Sequence, residues 1–243
     1  MIGCLVGSEM CIRDSKEDAH EEPTIKRSRS HDYVSKEVIN VRENVGLIEV
    51  ANFSKHEFKG PDARKFLDHI MAGRLPKPGR ISLSPMLSYR GKLCGDLTVA
   101  CLDENEFMVF GSGAAQEMHK RWFESHLDRF NLNYKNRSDE FHGLSIAGPN
   151  SRKVLEKIVR DDVSNEKFKF RDSRRMFVGG VPAIINRISF TGELGYEIYV
   201  APHYQLKLYE ELMEAGKEFN IKPFGGRALM SMRLEKNWGA WTL

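Results

Sequence analysis

Apolar and polar positions alternate most clearly in two stretches near the end of the chain. Ala183-Ile184-Ile185-Asn186-Arg187-Ile188-Ser189-Phe190 and Tyr196-Glu197-Ile198-Tyr199-Val200 flank Thr191-Gly192-Glu193-Leu194-Gly195, whose glycines permit the positive-φ conformations of a reversal. This predicts a β-hairpin. A period of two places Tyr196, Ile198 and Val200 on one face and Glu197 and Tyr199 on the other. A carboxylate inside such a strand is either solvated on an open face or held for a ligand. A second hairpin is predicted from residues 93–102 and 107–110. There Leu93, Leu97 and Val99 form an apolar face, and Cys94, Asp96, Thr98 and Ala100 a small, partly polar one. Asp is disfavoured within strands, so Asp96 implies a ligand, a bulge or exposure on an edge.

A periodicity of another kind precedes each hairpin. Gly60-Pro61-Asp62-Ala63-Arg64-Lys65-Phe66-Leu67-Asp68-His69-Ile70 matches Gly148-Pro149-Asn150-Ser151-Arg152-Lys153-Val154-Leu155-Glu156-Lys157-Ile158 at Gly, Pro, Arg, Lys, Leu and Ile. Proline in the first turn and an apolar stripe of Phe66, Leu67, Ile70 and Met71 predict a helix. Each copy follows a strand signal (residues 56–59 in the first) and precedes a hairpin and a further helix, over residues 116–130 and 203–219. Another strand signal covers residues 46–50. The expected fold is α+β, two similar α/β half-units with antiparallel hairpins, at about residues 44–138 and 139–239. Residues 16–43, polar and aperiodic, read as a linker ending in a short helix. Residues 1–15, MIGCLVGSEMCIRDS, resemble sequencing-adapter read-through rather than protein sequence.

Composition narrows the function classes. The chain has 243 residues, 41% of them hydrophobic, enough for a core, and 37 basic against 34 acidic residues. A net charge of +3 is too small and dispersed to argue for nucleic acid or an anionic membrane, and no apolar run reaches the roughly 20 residues of a spanning helix. Cys94 and Cys101 fall on opposite strand faces by parity and cannot bridge, so a reducing compartment is expected. The eight histidines show no metal spacing, and surface positions are their default. Phe110-Gly111-Ser112-Gly113-Ala114-Ala115 lacks the last small residue of a dinucleotide loop and reads as a strand-to-helix turn. Asp96 and Glu197 stand as strand carboxylates at corresponding places in the two hairpins, which favours one site between the halves.

At Gly60-Pro61-Asp62-Ala63, Ser84-Pro85-Met86-Leu87, Gly91-Lys92-Leu93-Cys94-Gly95-Asp96-Leu97-Thr98-Val99, Ala147-Gly148-Pro149, Phe190-Thr191-Gly192-Glu193-Leu194-Gly195-Tyr196-Glu197-Ile198 and Met232-Arg233-Leu234-Glu235-Lys236, the chain resembles the aminomethyltransferase (glycine-cleavage T-protein) folate-binding family. It is most similar there to the C-terminal half of dimethylglycine and sarcosine dehydrogenases, over residues 44–243. The resemblance implies tetrahydrofolate as cofactor, an N-methylated glycine or its iminium as small-molecule partner, and FAD only in an upstream domain. It implies Asp96 as the essential catalytic aspartate, Glu197 as holder of the pterin edge, and Phe190 and Tyr196 in cofactor binding, with Phe190 where many relatives carry tyrosine. It also implies a barrel-like C-terminal domain beyond these residues, and cytoplasm or mitochondrial matrix as location. Two departures weaken a glycine-cleavage activity: Leu229 replaces a folate-contacting arginine, with Arg227 two residues too early to substitute, and Gly95 replaces the first of two paired aspartates. The alternatives are a glycine-cleavage aminomethyltransferase, a non-catalytic folate-binding protein and a purely structural domain.

Overall fold

The computed structural model describes residues 25–27, 30–239 and 241, so the segment of residues 1–15 lies outside it. The strands are β1 (Val45–Glu49), β2 (Ser54–Lys59), β3 (Arg80–Leu87), β4 (Leu93–Asp103), β5 (Glu106–Gly111), β6 (Asn133–Asn136), β7 (His142–Ala147), β8 (Ser173–Val178), β9 (Val181–Asn186), β10 (Gly195–Val200) and β11 (Ile221–Pro223). The helices are α1 (His31–Glu43), α2 (Ala63–Ile70), α3 (Gln116–Glu124), α4 (Ser151–Ile158), α5 (Gln205–Gly216) and α6 (Gly226–Glu235). The α+β class with antiparallel hairpins holds.

The strands form two sheets, ordered β3-β4-β5-β2-β6 and β8-β9-β10-β7-β1-β11. With β1 set aside the orders coincide, each strand of the first sheet matching the one five places later in the chain. Strand β1 is wedged between β7 and β11, antiparallel to the first and parallel to the second. The repeated helices begin alike: Gly60 and Gly148 take φ of 142° and 134°, and the amides of Ala63 and Ser151 each reach the glycine carbonyl at 3.0 Å. A Cβ on Gly148 would stand 2.5 Å from the Asn44 carbonyl oxygen, so glycine is required there on two counts.

Periodicity decides the layers. Phe66 and Leu67 of α2 and Phe123 of α3 pack with Leu97, Val99 and Cys101 on one face of the first sheet. Leu155 of α4 and Leu208 and Leu212 of α5 pack with Tyr196, Ile198 and Val200 on one face of the second. The remaining faces meet through Ala100, Met108, Phe110, Ile184 and Tyr199, joined by Val41 of α1 and Ala228 and Met232 of α6. Each large side chain so buried contributes about 1.5–3 kcal/mol.

Four features differ from the sequence reading. First, β9 stops at Asn186, and residues 187–194 form an irregular connection in place of a continued ladder. Its carbonyls find partners elsewhere: Arg42 donates to Thr191 at 3.0 Å and Lys236 to Ser189 at 2.9 Å. Second, the helix at the end of the polar stretch is thirteen residues long and packed, with Glu37, Asn40 and Val41 buried. Its inward polar groups have remote partners, Glu37 accepting from the Gly225 amide at 2.9 Å and Asn40 donating to the Val45 carbonyl at 3.0 Å. Third, β4 bulges: Met86 faces Gly95 but Leu87 faces Leu93, leaving Cys94 as the extra residue. That resets the parity, so Cys94 packs toward α3 with the side that buries Cys101, not beside Asp96; both thiols are free. Fourth, His56 and His119 are fully buried, not on the surface.

Candidate active site between the sheets

Asp96 belongs to the face of β4 that carries Thr98 and Ala100 toward the other sheet. It lies opposite Pro85 of β3, two residues before Thr98, the residue at which the pairing of β4 with β5 begins. The missing neighbour strand leaves Asp96 half-buried. Glu197 sits instead on β10, a central strand flanked by Ser145 of β7 and Asn186 of β9. Its face is that of Tyr199, turned to the first sheet.

The two carboxylates are linked by a short path. Thr98 pairs with Phe110, the Phe110 ring stacks on Tyr199 with centroids 4.5 Å apart, and the Tyr199 hydroxyl donates to Glu197 Oε2 at 2.8 Å. Tyr199 can lie flat over β7 because residue 143 is glycine, where a Cβ would come within 2.7 Å of the ring. Glu197 is closely surrounded by protein yet keeps an open edge. Burial pushes its carboxyl up to about 7, against the lowering effect of the Tyr199 bond. Lys55, fully buried, holds its ammonium 6.0 Å from the Tyr199 ring centroid. Burial brings that ammonium down to about 8, with Asp139 and Glu49 opposing. The layer therefore holds a carboxyl and an amine, both titrating near neutrality, between apolar walls.

The structure treats the four expected site residues differently. Asp96 and Glu197 face one layer. Phe190 is half-buried in the 187–194 connection, two residues after Ile188, which packs against the inter-sheet cluster. That connection is pinned by Arg42, which reaches Glu193 and Glu235 at 2.6 Å each. Tyr196 is on the far side of the sheet, fully buried and stacked on Phe168 at 5.8 Å. Leu229 packs against the inter-sheet cluster, while Arg227 turns away to donate to Ser30 Oγ at 3.0 Å. The two carboxylates are not equivalent either. Carrying the pairing registers across the repeat, Glu197, opposite Ser145, matches Met108, opposite Glu57, and Asp96 matches Pro182. Tyr199, Asn186, Ser145 and Arg42 escaped the sequence reading. Only Tyr199 left a signal, its shared face with Glu197.

Among the described residues no group of three or more His, Cys, Asp or Glu is arranged to hold a metal, and no helix is long and apolar enough to cross a membrane. The chain is 37% identical to mitochondrial dimethylglycine dehydrogenase of Mus musculus over 228 residues, covering 93% of this chain and 26% of that protein. It is 30% identical over 198 residues to an aminomethyltransferase of Thermoanaerobacter pseudethanolicus, covering 80% of this chain and 53% of the other. The chain thus spans about a quarter of the first relative and half of the second. In fold it is similar to the crystal structure of glycine cleavage system aminomethyltransferase T from Bartonella henselae, with a TM-score of 0.76 at 23% identity over 85% of this chain and 55% of that one. The GCVT N-terminal domain model matches residues 15–243, and the chain belongs to that family.

Proposed function

We propose that this chain is the tetrahydrofolate-binding module of an enzyme of dimethylglycine or sarcosine dehydrogenase type, and that it passes a one-carbon unit from an N-methylglycine-derived iminium to tetrahydrofolate. What supports the reading is register: Asp96 and Glu197, on strands of different sheets, fall on the strand faces that carry Ala100 and Tyr199 into the apolar layer between the sheets. The residues fit the group. A pterin edge presents adjacent N–H donors, and a carboxylate with an open edge accepts them in pairs; burial raises the Glu197 carboxyl, so donor groups of a ligand would replace the solvation it lacks. Phe190 and Ile188 offer apolar surface for the ring, while Tyr196 acts from behind by packing the strand.

Tetrahydrofolate would supply two amine nitrogens that take up the carbon as a methylene bridge, while the bond to the glycine-derived amine breaks and that amine leaves as its ammonium ion with the two protons the nitrogens give up. Asp96, where β4 has lost its β5 neighbour, would orient the accepting amine and stabilise the positive charge of the iminium substrate. FAD-dependent oxidation of the methylamine belongs, in this reading, to another part of a longer protein, in the mitochondrial matrix or cytoplasm. Leu229 in the apolar layer favours this branch over glycine cleavage, because an arginine contact to folate is lost there. Calorimetric titration of tetrahydrofolate into the chain tests the reading, with saturable binding expected in the parent and weakened about 10- to 100-fold in Glu197→Ala. Unchanged binding in a folded Glu197→Ala variant would refute the assignment, and transfer from a lipoyl-bound aminomethyl donor would favour aminomethyltransferase.

A further inference from the structure

The strand segment that carries Asp96 is shaped by a residue of another element. Cys94 is the extra residue of the β4 bulge, and a bulge leaves such a residue outside the ladder. Its carbonyl is met by His119 Nε2 of α3 at 3.0 Å. A carbonyl only accepts, so Nε2 carries the proton and Nδ1 is the lone-pair nitrogen. Nδ1 is buried with no hydrogen-bond partner among the described residues, and His119 is fully buried. Burial lowers the proton affinity of the ring, opposed by the Cys94 carbonyl and the Asp96 charge, which keeps it a neutral, single-direction donor. The ring can approach only because residue 95 is glycine: a Cβ there would stand 2.7 Å from Nε2.

We propose that His119 is a positioning residue for Asp96: its imidazole fills the side-chain space of Gly95, donates to the bulge carbonyl of Cys94, and so fixes the backbone from which the Asp96 carboxylate is aimed at the inter-sheet layer. The departure at position 95 and the buried histidine are then two halves of one device, since a side chain at 95 and this ring exclude each other. The inference rests on the role of Asp96 proposed above.

The experiment uses the 243-residue chain with His119→Phe, His119→Gln and Gly95→Ala, and Asp96→Ala as reference. Imidazole 15N NMR is expected to show the Nε2–H tautomer of His119. Hydrogen exchange of the amides of residues 94–97 is expected to quicken about tenfold in His119→Phe and to recover in His119→Gln, whose amide can still donate. In one-carbon transfer from the iminium formed by glycine and formaldehyde, above the uncatalysed rate, kcat should fall by about 10²-fold in His119→Phe. KM for tetrahydrofolate should stay within about twofold, and His119→Gln should restore kcat. A folded His119→Phe variant with parental exchange and kcat, or a Gln variant no better than Phe, overturns the proposal. If His119→Phe does not fold, Gly95→Ala, which pushes the same ring away, must show the same loss, and parental behaviour there overturns it. Parental transfer by Asp96→Ala would instead sink the catalytic reading of Asp96, and exchange alone would then decide the role of His119.

Discussion

The two halves of the molecule share a strand order and a helix opening but not a chemistry. In the first half, the inward face of β4 ends in Asp96, beyond its last pair with β5 and therefore partly open. In the second, the inward face of β10 holds Glu197 between two flanking strands, with Tyr199 bonded to it. The positions matching these carboxylates in the other half are Pro182 and Met108, which are apolar. Phe110 and Tyr199, by contrast, do match across the repeat, and they stack on one another. The repeat thus supplies the scaffold and a paired aromatic seam, and the polar groups that could bind or react are placed on it asymmetrically, one where its strand has a partner on a single side and one in a central strand.

That contrast assigns separate tasks, and substitutions can separate them. The largest effect is expected from Asp96→Asn, which should lower one-carbon transfer by about 10²–10⁴-fold while leaving calorimetric affinity for tetrahydrofolate nearly intact; Pro182→Ala, at the matching position, should change neither. Glu197→Ala should weaken tetrahydrofolate binding by about 10- to 100-fold, the worth of a charged hydrogen-bond acceptor, and Met108→Leu should leave it alone. Equal losses in both members of either pair would erase the asymmetry. Gly143→Ala drives a methyl into the Tyr199 ring and should cost about 1–3 kcal/mol in a denaturant melt.

The smallest effect is one of pH. With burial raising its carboxyl from the ordinary 4.5 to about 7 in the folded state, Glu197 takes up a proton on folding between those values. Its contribution to stability is full below about 4.5 and is lost as pH rises through 7, so Glu197→Gln should flatten the stability profile across that window. Tetrahydrofolate should bind the ionised carboxylate, with affinity rising through pH 7 and protons released on binding, as titration in buffers of different ionisation enthalpy would register.

Much of this was legible in the sequence because it depends on local rules. The repeated Gly-Pro opening demands its glycine wherever it occurs, and the alternation in β10 fixes that Glu197 and Tyr199 share a face. What was hidden depends on partners far along the chain. The helix expected at the end of the linker is longer and packed, because its buried Glu37 and Asn40 are satisfied by Gly225 and Val45, which no hydrophobic period records. The bulge at Cys94 reverses a parity that a count of residues takes as unbroken, and the burial of His119 against Gly95 and Gly111 joins elements distant in sequence. The matched placement expected for Asp96 and Glu197 failed because one lies on the first strand of its hairpin and the other on the second.

The most direct test of a single folate layer between the sheets is a crystal structure of the chain with tetrahydrofolate bound. The account predicts the pterin edge within hydrogen-bond reach of the Glu197 carboxylate and the reduced-ring nitrogens turned toward Asp96. Tetrahydrofolate bound elsewhere, with the layer closed over by protein side chains, would contradict it.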